Sequence, residues 1–279
     1  MNELLPYQQW LDWLRHNLQR GCLAADLWRD MKEKGGLDHA IIVKLFAAAE
    51  APLHAASSDI NTLIAPKPAV SGNSVSIAGH EIQIALHLKS PEVIVFDNVL
   101  TADECRELIS AGESKLTRAT VVGDDGQPVL HPERRSDGAG FQRGENLLLA
   151  TIEQRLAALV DWPVEHGEGI QVLRYTPGGE YKAHYDWFDV NNPAIAARLG
   201  HGGQRVATLV LYLNEVDEGG ATEFPELGLS VRPRTGRALY FSNVDEQGRS
   251  DRRALHAGAP VRAGVKYIAT KWLRQRPYI

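Results

Sequence analysis

The sequence predicts a mainly β protein with flanking helices, preceded by a small all-α module. Three observations carry this. Leu11, Leu14 and Leu18 recur at helical spacing near the N-terminus. The composition then turns to Ala, Ser, Pro and Gly, with Pro52, Pro66 and Pro68 close together. From Ile170 onward, short runs rich in strand-forming residues are separated by glycine-bearing turns.

In chain order, Leu4 to about Ala49 suits helices, broken at Gly35-Gly36. This sets residues 1–65 as the helical module, 66–90 as a connecting segment and 91–279 as the main domain. Val75 to Leu88 roughly alternates, and the apolar run Val93-Ile94-Val95-Phe96 follows as a strand. Thr101 and Glu104 have the spacing of a reciprocal helix cap ahead of Leu108 and Ile109. A second helix, about Glu145 to Leu159, places Leu147, Leu148, Ile152, Leu156 and Leu159 at helical spacing.

Charge and cysteine content narrow the function classes. Lys and Arg total 30 against 35 Asp and Glu, a formal net charge of −5, which lacks the basic footprint of a nucleic-acid binder. No stretch of 18 apolar residues occurs, and the N-terminus lacks a basic segment followed by an apolar one, so a soluble cytoplasmic protein with no membrane partner is expected. Cys22 and Cys105 stand far apart and suggest neither a disulfide framework nor a thiolate metal site.

The ten histidines hold the chemical signal. Three lie in His-x-acid triplets, beginning at His131, His166 and His184, where chance alone gives about one. His131 beside Pro132 and His166 before Gly167 suit solvated loops. The third lies in Tyr181-Lys182-Ala183-His184-Tyr185-Asp186-Trp187-Phe188, whose aromatic content suits a strand, and a period of two puts His184 and Asp186 on one face. An imidazole and a carboxylate converging there make two thirds of a two-His-one-carboxylate iron site. His256, at a strand end in Leu255-His256-Ala257-Gly258, is the candidate for the third ligand. Ten residues on, Lys266 shares an otherwise apolar strand face with Ile268, Thr270 and Trp272, while Lys271 falls on the other face. A buried Lys needs an anionic partner, and no neighbour in sequence provides one; a small dicarboxylate would.

From about Val93 to Trp272 the chain resembles the prolyl 4-hydroxylase group of 2-oxoglutarate and iron(II)-dependent dioxygenases. The resemblance runs through Arg135-Ser136-Asp137-Gly138-Ala139-Gly140-Phe141, Gly169 to Tyr175, Tyr181 to Phe188, Gln204 to Asn214, Gly219 to Pro225 and Leu255 to Val261. It implies a double-stranded β-helix, a cupin-like jelly roll. It also implies iron ligation by His184, Asp186 and His256, and pairing of Lys266 with the distal carboxylate of 2-oxoglutarate. Tyr175 and Tyr212 are implied at the cosubstrate, and Tyr181, Arg205, Trp272 and Arg135 at the substrate. The implied reaction consumes 2-oxoglutarate and O2, hydroxylates a prolyl residue of a peptide or protein, and releases succinate and CO2, with ascorbate as an accessory reductant. Ser136 stands where the group usually has Thr, and Ala259 where Cys is common.

Two other readings stay open: a hydroxylase of a free amino acid, another side chain or a small metabolite, and a non-catalytic 2-oxoglutarate or metal sensor. The N-terminal helices, with Trp10, Trp13 and Trp28, can be packed core, a homodimer face or a substrate-recruiting surface. The polar, glycine-bearing stretches 123–140 and 189–203 are expected to be closing loops.

Overall fold

The structure, a computed structural model, describes residues 7–19, 24–38, 41–42, 44–45, 63–68, 70, 72–119, 121–122, 128–129, 134–189, 199 and 202–278. His131 and most of the two expected closing loops lie outside the described residues. Contacts divide the chain into two compact units, Met1–Leu63 and Ile64–Ile279.

The first unit contains helices α1 (Gln8–Gln19) and α2 (Ala24–Glu33) and further helical residues at 41–42 and 44–45. Leu11, Leu14, Leu27, Met31, Ile42 and Leu45 form its buried cluster. Trp10, Trp13 and Trp28 pack against that cluster, Trp10 meeting Trp13 edge-on at 5.4 Å, so all three serve core packing within this unit.

The second unit is built of antiparallel sheets. Its strands are β1 (Ser74–Ile77), β2 (His80–Lys89), β3 (Glu92–Asp97), β4 (Thr117–Arg118), β5 (Val121–Val122), β6 (Pro128–Val129), β7 (Asp137–Gly140), β8 (Gln171–Tyr175) and β9 (Tyr181–His184). They continue with β10 (Arg205–Tyr212), β11 (Glu218–Gly219), β12 (Thr222–Phe224), β13 (Leu229–Val231), β14 (Ala238–Ser242), β15 (His256–Gly258), β16 (Val261–Ala263) and β17 (Lys266–Arg274). A nine-stranded sheet runs β1-β2-β3-β14-β10-β17-β8-β7-β4, and a four-stranded sheet runs β13-β12-β15-β9. Side chains of β3, β8, β10, β14 and β17 pack with Phe224 and Val231 of the smaller sheet in one core, so the sheets face each other as the jelly-roll expectation requires.

Residues 66–90 depart from the connecting role set for them. They contain β1 and β2, and β2 pairs with β3 inside the large sheet, because buried Ile82 and the residues alternating with it present an apolar face that only sheet packing covers.

Helix α3 (Ala102–Glu113) starts as its cap predicts: Glu104 donates its backbone N–H to Thr101 Oγ1 at 3.1 Å, and Thr101 donates its own to Glu104 Oε2 at 2.8 Å. Helix α4 (Leu147–Val160) begins later than expected at Glu145, because Asn146 Oδ1 accepts from the N–H of Leu149 and makes Asn146 the N-cap. Leu147 therefore sits in the first turn, 84% exposed, while Leu149, Ile152, Leu156 and Leu159 face the core.

Candidate iron and cosubstrate site

Sheet register assembles the site. His184 ends β9, Asp186 follows two residues later, and His256 opens β15 directly opposite His184. Their ligating atoms all lie within 4.8 Å of one another. Asp186 Oδ1 is 3.7 Å from His184 Nε2, and Asp186 Oδ2 is 3.6 Å from His256 Nε2.

Each imidazole is held through its other nitrogen: His184 Nδ1 lies 2.8 Å from the carbonyl of Lys182, and His256 Nδ1 3.0 Å from that of Ala254. A carbonyl only accepts, so Nδ1 carries the proton and Nε2 presents its lone pair to the cluster. Burial, reinforced by His256 alongside, holds the pKa of His184 well below its ordinary value and keeps the ring neutral. Burial pulls Asp186 upward, but His256, His184, Arg205 and the Thr208 hydrogen bond outweigh it and keep the carboxylate ionised. Two imidazoles and one carboxylate are the donor set of a non-haem iron(II) site, and the residues present fit that ion.

The cluster opens on a cavity of about 660 Å³. Lys266, Ile268, Thr270 and Trp272 all line it from β17, as strand alternation predicts, and Lys271 on the opposite face pairs with Glu153. Lys266 is 2% exposed, and among the described residues no carboxylate pairs with it. Its Nζ lies 5.2 Å from the ring of Tyr175, its cross-strand neighbour, and 5.9 Å from that of Tyr212. Burial alone lowers its pKa to about 7. A buried cation of this kind fits an anionic ligand.

Tyr175, Tyr181, Arg205 and Trp272 also line the cavity. Tyr181 stacks on His184 at 3.6 Å between ring centroids, and burial raises its pKa to about 12, so its hydroxyl stays protonated. Arg205 lies 3.9 Å above Trp272 and donates two hydrogen bonds to Glu168, which also accepts from Arg274. His166, expected in a solvated loop, instead lies half-buried against Trp162.

Two expected residues are not among those that line the cavity. Tyr212 does not line the cavity; its hydroxyl donates to Thr222 Oγ1 at 2.7 Å, and Thr222 does line it. Arg135 turns outward to pair with Glu180, while Arg134 enters the cavity, because Arg134 bridges Tyr181 and neighbouring residues point to opposite sides. Arg134, Gln171 and Thr222, which also line the cavity, were missed in the sequence. Thr208 was legible, sharing a strand face with Tyr212 through period two; Arg134 carries no signal that separates it from Arg135.

Residues 170–274 match the 2OG-Fe(II) oxygenase superfamily. Probable prolyl 4-hydroxylase 3 of Arabidopsis thaliana is 37% identical over 208 residues, spanning 67% of this chain and 71% of that protein. Prolyl 4-hydroxylase 5 of the same plant is 38% identical over 203 residues, spanning 65% and 68%. The crystal structure of the viral collagen prolyl hydroxylase vCPH from Paramecium Bursaria Chlorella virus-1, a 2OG complex, superposes with a TM-score of 0.52 at 30% identity, covering 65% of this chain and 95% of that one. Among the described residues no helix is long and apolar enough to cross a membrane. The chain belongs to the 2OG-Fe(II) oxygenase superfamily and is a prolyl 4-hydroxylase-like, 2-oxoglutarate-dependent dioxygenase.

Proposed function

We propose that the chain hydroxylates prolyl residues in a peptide or protein, holding iron(II) through His184, Asp186 and His256 and 2-oxoglutarate through Lys266. The buried Lys266 ammonium, with no carboxylate partner among the described residues and on the same cavity as the His–Asp–His cluster, carries this proposal. When bound, iron(II) and 2-oxoglutarate supply the oxidation, in which dioxygen gives one oxygen to the substrate and one to succinate as CO2 leaves. Lys266 pairs with one carboxylate of the cosubstrate, and Tyr175 opposite it closes that end of the pocket. Thr222 accepts from Tyr212 and so has its own proton to offer.

The remaining wall supports a prolyl substrate. It combines aromatic faces, Tyr181, Tyr185, Trp187 and Trp272, with the donors Arg134 and Arg205. Among the described residues the buried indole N–H of Trp272 has no hydrogen-bond partner. A polyproline II segment offers carbonyl acceptors, has no N–H at Pro, and docks on aromatic grooves. The prolyl 4-hydroxylase names of the plant relatives agree with this substrate class.

The test is mass spectrometry of proline-rich peptides incubated with the protein, iron(II), 2-oxoglutarate and air. A one-oxygen gain on Pro with matching succinate is expected, absent when Pro is replaced by Ala. Hydroxylation of free proline or another side chain instead overturns the peptide assignment, and binding of 2-oxoglutarate without turnover of any acceptor favours a sensor.

A further inference from the structure

Behind Asp186 runs a hydrogen-bond chain on residues that take no part in the binding roles above. Thr208 Oγ1, on β10, is 2.7 Å from Asp186 Oδ2, and Asn243 Nδ2, just past β14, is 3.1 Å from Thr208 Oγ1. Thr208 is 1% exposed and Asn243 fully buried. The proton directions follow from chemistry. An ionised carboxylate only accepts, so the Thr208 hydroxyl donates to it; a hydroxyl has one proton, so its contact with Asn243 is an acceptance, which turns the amide NH2 toward Thr208. Each member fixes the next, and Oδ2 of Asp186 is held by a donor.

Asn243 also touches the other arm of the cluster. Its backbone N–H donates to the Val206 carbonyl, and its carbonyl accepts from the N–H of Asp251. Asp251 caps the short helix Arg252–Ala254, and its carbonyl accepts from the Trp187 indole at 3.3 Å. The carbonyl of Ala254, at the end of that helix, holds His256 Nδ1. One buried amide thus connects the strap leading to His256 with the hydroxyl that orients Asp186.

We propose that Thr208 and Asn243 are positioning residues: they lock the Asp186 carboxylate in one rotamer and tie it to the strap carrying His256, so that the ligand set is pre-formed before the metal arrives. The proposal rests on the assignment of His184, Asp186 and His256 as the metal ligands. Losing an outer partner of a ligand costs roughly 10–100-fold in metal affinity.

The test uses cobalt(II) as a spectroscopic stand-in for iron, titrated into the metal-free full chain and followed by its visible absorption, with tryptophan fluorescence reporting 2-oxoglutarate binding. Thr208→Val keeps the side-chain shape and deletes the hydroxyl; cobalt affinity is expected to fall by about 10–100-fold with an altered spectrum. Thr208→Ser is expected to restore both. Should Thr208→Val not fold, Thr208→Ser against Thr208→Ala, which differ by the hydroxyl alone, gives the same comparison. Unchanged affinity and spectrum in the hydroxyl-less variant, with wild type binding cobalt, overturn the relay alone. Folded wild-type protein that binds no cobalt overturns the ligand assignment and the relay with it.

Discussion

His256 faces His184 across an antiparallel strand pair, with ring centroids 4.3 Å apart, and each ring is fixed by the carbonyl two residues before it. The same local bond is thus used twice, once on each strand, and both Nε2 atoms turn toward Asp186. Strand pairing is the cause of the site: without the β9–β15 register, two histidines 72 positions apart would not meet.

Replacing either ring should therefore remove a metal ligand outright. His184→Ala and His256→Ala are each expected to lose more metal affinity than the roughly 100-fold upper range for an outer-sphere partner, and to abolish succinate formation. Iron content after dialysis, compared with wild type, checks the first; succinate release checks the second.

Lys266 gives a pH signature. Its pKa falls from the ordinary lysine value to about 7 through burial. Between about 7 and 10.5 the unfolded chain binds the proton more readily than the folded one, so the metal-free, cosubstrate-free protein should gain stability as pH rises through that window. Below pH 7 the full cost of the buried charge is present. Lys266→Met should remove it, stabilising the ligand-free protein near neutral pH by on the order of 2 kcal/mol while weakening 2-oxoglutarate binding. A dicarboxylate that restores the ammonium takes up a proton above pH 7, so affinity should decline toward alkaline pH. Calorimetric titration in buffers of different ionisation enthalpy measures the uptake directly.

Tyr212 and Thr222 should separate cleanly. Tyr212→Phe leaves the Thr222 hydroxyl in the cavity but unheld, and is expected to raise the KM for 2-oxoglutarate a few-fold and cost about 1 kcal/mol of stability. Thr222→Val removes the hydroxyl that lines the cavity and should raise KM further with a similar stability loss. Steady-state kinetics on both variants decide the order; a larger KM effect for Tyr212→Phe would place Tyr212 at the cosubstrate itself.

What the sequence revealed depended on whether a signal was local. The α3 cap is a four-residue pattern and was legible to the residue. The β17 face was legible because a single strand with one unexpected Lys breaks its own alternation. Strand β10 is buried on both faces, so period two sets Thr208 and Tyr212 on one face but does not say which of them reaches Asp186. Arg134 and Arg135 differ only in which side of a bridge they fall, and that is set by pairing with Tyr181, 47 positions away. The alternation of residues 75–88 was legible, but their place in the large sheet was not, because it is set by the pairing of β2 with β3 rather than by a local pattern.

The Lys271–Glu153 pair predicts where the fold is brittle. Lys271 Nζ lies 2.5 Å from Glu153 Oε1, both side chains are at most 3% exposed, and Glu153 Oε2 accepts the N–H of Gly144 at 2.7 Å. The pair pins helix α4 to the face of β17 opposite Trp272, away from the cavity. Removing one partner strands a charge where water cannot reach it, so Glu153→Leu or Lys271→Met alone should cost about 3–5 kcal/mol. The double variant, which leaves no charge behind, should recover most of that loss, though the Gly144 N–H stays without its acceptor. Urea unfolding of the single and double variants measures the coupling. Because neither residue lines the cavity, the double variant should retain wild-type KM for 2-oxoglutarate; a large rise would show that α4 also shapes the cosubstrate end of the pocket.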